Sequence, residues 1–83
     1  MNPVDDRKTL HEVMNQMKAI EASLYENFEH IAGIELLLSS DNNSTVKDAK
    51  ISKNFSILKE KLEDTTDSVK VFMSMLKEEQ RHN

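Results

Sequence analysis

The sequence predicts an all-α fold, an antiparallel two-helix hairpin, from three observations. A single Gly and a single Pro among 83 residues leave almost nothing to interrupt a helix. Apolar residues recur in alternating steps of three and four along both halves of the chain. Between those halves lies one stretch, SSDNNSTVKDA, dense in side chains that compete for backbone hydrogen bonds and favour turns.

The first helix is expected to start beside Pro3. Proline's missing N–H is not needed in a first turn, and Asp5 and Asp6 then face the positive end of the helix dipole. Its apolar seam is read as Leu10, Val13, Met17, Ile20, Leu24, Asn27, Ile31, Ile34 and Leu38, with Met14 and Phe28 beside it. That stripe is as wide as expected of a helix in a bundle rather than in a simple two-stranded coil. The second seam runs Ile51, Phe55, Leu58, Leu62, Thr65, Val69, Phe72 and Leu76, flanked by Met73 and Met75. Thr45 and Asp48 resemble a capping box, so a single domain over residues 1–83 divides into helices at about 4–39 and about 46–80, joined by a loop at about 40–45. Such a loop makes the helices antiparallel. It sets Leu10 to Met17 near Val69 to Leu76, and Ile31 to Leu38 near Ile51 and Phe55. The closing KEEQRHN mixes favourable bases with unfavourable acids at the negative end of the dipole, which predicts a frayed last turn.

So short a chain buries little of its surface, and without cysteine it has neither a disulfide nor a thiolate metal site to compensate. Association with another chain is therefore expected, as a homodimeric four-helix bundle or with a helical partner subunit. No basic segment followed by an apolar run opens the sequence, and apolar runs stay as short as Leu36 to Leu38, so the reading is cytoplasmic with no membrane partner. The sequons at Asn42, Asn43 and Asn54 are then by-products of polar segments.

The net charge of −4 counts against nucleic acid as the main partner. Residues 1–38 hold three bases against seven acids, and residues 46–83 eight against seven. Only the second helix, with Lys47, Lys50, Lys53 and Lys61, offers a line that could touch phosphates. A dimeric RNA-binding or regulatory bundle is the alternative that this line leaves open.

Candidate partner-binding residues fall into two groups. Ala22, Tyr25, Ala32 and Leu36 form a second apolar line on the far side of the first helix, where Gly33 and Ala32 would admit a close helix. Met14, Met17, Met73 and Met75, with Phe72 and Leu76, should gather at the open end of the hairpin, where flexible thioethers suit adaptable helix binding. Asn27, interrupting the first seam as Thr65 interrupts the second, is expected to specify register, because a misaligned partner would leave its amide unpaired.

Chemistry-bearing patterns are thin. Glu26 and Glu29 form an E-x-x-E, and Glu60, Glu63, Asp64 and Asp67 cluster later. This resembles the carboxylate helices of MazG-like all-α nucleotide pyrophosphohydrolases, and the resemblance implies magnesium-dependent hydrolysis as a further alternative. No E-x-x-D follows, however, and both groups lie away from the seams, where a solvated acidic face is expected. His11, His30 and His82 are too scattered for a metal site, even with Glu26 one turn before His30. No nucleophile with its base can be placed by spacing, and a hairpin offers little concavity to exclude water. The expectation is a non-catalytic protein-protein interaction module with no cofactor, no metal and no small-molecule substrate.

Overall fold

The structure, a computed structural model, describes the backbone of residues 3–40 and 49–82. Two helices account for all of it: α1, Pro3–Ser40 (38 residues), and α2, Ala49–His82 (34 residues). Pro3 opens α1 as the breaker argument requires, and α2 runs on to His82 instead of stopping near Gln80. Ser39, Ser40 and Ala49 of the turn segment are helical, and residues 41–48, with Lys47 and the Thr45–Asp48 capping box, lie outside the described residues.

The helices pack against one another along a rod 62 × 17 × 16 Å. An ion pair between Lys59 Nζ and Glu35, each half exposed, sets the register. Stepping seven residues back on α1 and seven forward on α2 brings Phe28 level with Thr66, and a second such step brings Glu21 level with Met73. Both of those pairs line shared grooves. Leu10 and Glu79 line another, so the hairpin is antiparallel, with the start of α1 and the end of α2 together at its open end.

The contact line differs from the expected seam by one position on each helix. Its centre is as predicted: Leu10, Met17, Leu24, Ile31 and Leu38 on α1, and Phe55, Leu62, Val69 and Leu76 on α2, all buried or half-buried. The flank turned toward the other helix, the inner flank, is Met14, Glu21, Phe28 and Glu35 on α1, with Lys59, Thr66, Met73 and Gln80 on α2. Val13, Ile20, Asn27 and Ile34, with Ile51, Leu58, Thr65 and Phe72, form outer flanks, and all of them except the half-buried Val13 are exposed. The inner flanks are more polar than the outer ones, yet they close the hairpin. Glu35 and Lys59 are each half-buried and meet in an ion pair across the two helices, and long side chains of this kind can cover apolar surface with their stems while the charged heads stay in water. Thr66 sits buried because its Oγ1 donates to the Leu62 carbonyl at 2.9 Å, leaving its methyl for the seam.

The core is correspondingly thin. Met14, Leu24, Val69, Met73 and Leu76 form its main cluster, with Leu10, Val13, Met17 and Leu62 packed against them. Among the described residues no large side chain falls below 2% exposure. The hydrogen bond and charge of Glu35, joined by the charge of Glu63, raise the Lys59 ammonium above its ordinary pKa of 10.5. A raised lysine stabilises the fold fully below that ordinary value and loses its contribution as pH climbs through the raised one.

Candidate docking face

On an antiparallel pair, the residue preceding the inner-flank position points to the same side of the hairpin on both helices. The outer flanks of α1 and α2 therefore make one continuous side. With the register set by Glu35 and Lys59, its levels are Ile34 with Leu58, Asn27 with Thr65, and Ile20 with Phe72. Ile34 is 39%, Leu58 54%, Ile20 46% and Phe72 42% exposed, so each offers about half its surface. Leu37 and Met75, one further step around their helices, extend the same side. Phe72 and Met75, with Leu76, Glu78 and Glu79, line a shallow groove at the open end. Thr65 is self-satisfied, its Oγ1 donating to the Lys61 carbonyl at 2.9 Å.

This side is distinguished by the scarcity of charge. From Ile20–Phe72 to Ile34–Leu58 the outer flanks and the adjoining lines Ser23, His30 and Leu37 on α1 and Asn54, Lys61, Ser68 and Met75 on α2 carry one fixed charge, Lys61, and Glu79, one heptad beyond Phe72, adds another at the open end. The chain as a whole is rich in charge, at 31% Asp, Glu, Lys and Arg. The opposite side is the reverse. There Lys18, Lys70 and Lys77 line one groove with Glu21, while Tyr25 shares the next with Phe28, Glu63, Thr66, Asp67 and Lys70.

The residues singled out from the sequence do not form one surface. Tyr25 and Ala32 stand exposed on the lysine-bearing side, and Leu36, 70% exposed, points away from both sides. Met14, Met73 and Leu76 are buried in the seam and Met17 is half-buried there, which leaves Phe72 and Met75 as the exposed members of the methionine end. Asn27 is exposed, level with Thr65 on the outer side and not within the seam. Gly33 is not held by packing, since a Cβ built on it meets nothing within 4 Å. Gly33→Ala is therefore expected to raise thermal stability by about 0.5–1 kcal/mol through helix propensity alone, without changing the mass in solution. Loss of stability or of association in that variant would show a partner helix lying on the Ala32–Leu36 surface after all.

The acidic groups are dispersed as well. Glu26, Glu29, Glu60, Glu63, Asp64 and Asp67 are exposed, and among the described residues no three His, Asp or Glu side chains come together to hold a metal ion. Lys50 and Lys53 are exposed on α2 with Glu60 and Asp64, and Lys61 stands apart from them beside the outer flank, so the lysines do not form one line. Among the described residues no helix is long and apolar enough to cross a membrane.

Fold and surface define a two-helix hairpin with one apolar side left uncovered. No family model, curated protein sequence or solved structure matches the chain.

Proposed function

We propose that the chain is a non-catalytic docking module that offers its outer-flank side to helices of another subunit, completing a four-helix bundle. One observation carries this: in both helices the more apolar flank, Ile20 and Ile34 with Ile51, Leu58 and Phe72, faces outward, while the more polar flank closes the hairpin. A helix in a four-helix bundle touches two neighbours at roughly right angles. It needs a central apolar line with a flank toward each. Here the hairpin partner occupies one flank, and the other is the surface that a bundle would bury. Covering the remaining half of Ile20, Ile34, Leu58 and Phe72 would contribute roughly 1 kcal/mol per side chain, taking about 1.5–3 kcal/mol for complete burial. That is a large addition for a fold whose own core is so thin.

The test is a photoreactive amino acid placed at Leu58, and in a second chain at Leu36, expressed in the native host and irradiated. Covalent protein adducts are expected from Leu58 and not from Leu36. Adducts from Leu36 alone, or from neither position, would remove the docking role from this side.

A further inference from the structure

We propose that the occupant of the outer-flank side is a second copy of this chain, seated face to face with its Asn27–Thr65 level against the same level of its mate. The inference rests on the docking reading above and deepens it by naming the partner.

Self-complementarity along the hairpin is the first support. The apolar levels Ile20–Phe72 and Ile34–Leu58 lie seven residues to either side of Asn27–Thr65, about 10 Å each way at 1.5 Å per residue. A two-fold axis within the interface, along or across the hairpin, then brings polar level onto polar level and apolar onto apolar. That is the condition a closed isologous dimer must meet. Charge is the second. Over the span from Ile20–Phe72 to Ile34–Leu58 only Lys61 brings a fixed charge, near the rim, while Glu78 and Glu79 lie beyond it at the open end, so the central levels of two such sides can meet without desolvating opposed ions or placing like charges in contact. Area is the third. From Thr9 to Leu37 the side is about 42 Å long at 1.5 Å per residue, and with a width of 17 Å its outline is roughly 700 Å². Each partner of a standard stable complex buries about 800 Å².

Sedimentation equilibrium on the purified chain at micromolar concentration tests this. Wild type is expected at twice the 9.6 kDa chain mass, Ile34→Glu with Leu58→Glu at the monomer mass, and Tyr25→Glu with Leu36→Glu still at the dimer mass. A wild-type monomer overturns the second copy; if the Leu58 photoprobe then still captures a different protein, the docking reading survives alone. A dimer that persists in Ile34→Glu with Leu58→Glu also overturns the proposal, because association would run through another surface. Should that variant lose its helix, a nitroxide on Ser68→Cys in the otherwise cysteine-free dimer decides. An interlabel distance under about 25 Å, roughly two helix diameters, supports the proposed seating, and a longer one overturns it.

Discussion

Leu24→Ala is expected to abolish most of the helical circular dichroism at 25 °C and at concentrations where wild type is fully helical. Leu24 is 7% exposed and belongs to the cluster with Met14, Val69, Met73 and Leu76. Truncating a buried leucine costs about 2–5 kcal/mol, from the lost burial and the cavity left behind. In a large domain that loss is survivable. Here the cluster is most of the core, and a hairpin of this size has only a few kcal/mol of stability in total. The control is Leu36→Ala, at a position 70% exposed and outside the seam, where the change should stay within about 0.5 kcal/mol. Thermal melts followed at 222 nm separate the two. Equal melting temperatures for both variants would show that the α1·α2 seam is not what holds the helices in solution.

The fold was legible because the breakers are so few and because the central lines, Leu10 to Leu38 and Phe55 to Leu76, are apolar at every step. Flank selection was not legible. On α1 the outer flank reads Val, Ile, Asn, Ile and the inner flank Met, Glu, Phe, Glu; on α2 they read Ile, Leu, Thr, Phe and Lys, Thr, Met, Gln. Both flanks keep the alternation of three and four against the same central line, so periodicity cannot say which one faces the hairpin partner. Hydrophobicity then chooses the outer flank, which is the one the predicted seam contains. The Glu35–Lys59 pair and the back-bonded hydroxyl of Thr66 make the inner flank tolerable, and neither shows until the helices are placed side by side. A sequence signal for the true arrangement did exist in the stripe itself. A central line flanked on both sides is wider than a two-helix seam needs, and the near absence of charge beside the outer flank marks that side as the one still to be covered.

Asn27 changes meaning with that shift. Placed within the hairpin seam it would set the register of α1 on α2, whereas on the outer side, level with Thr65, it divides the docking surface into two apolar halves. Asn27→Leu is therefore expected to leave hairpin register unaltered and to tighten association, by at least about tenfold in dissociation constant and by as much as roughly a hundredfold or more. Burial of a leucine contributes about 1.5–3 kcal/mol when complete, and a symmetric dimer contains the substitution twice. Each step of about 1.4 kcal/mol is a factor of ten in affinity. The melting temperature at fixed concentration should rise with it, since whatever favours the associated folded state stabilises the fold by mass action. Discrimination should fall at the same time. With the polar level gone, the introduced leucine can meet Ile20 or Ile34 of a mate displaced by seven residues as readily as its own counterpart, so species larger than a dimer are expected in sedimentation velocity. Asn27→Asp provides the opposing arm: it keeps the side chain's size, adds a charge that must be buried near its copy, and should dissociate the assembly. Unchanged mass and melting in both variants would mean that level 27 stays solvated in solution, and the docking surface would then have to lie nearer the open end, around Ile20, Phe72 and Met75.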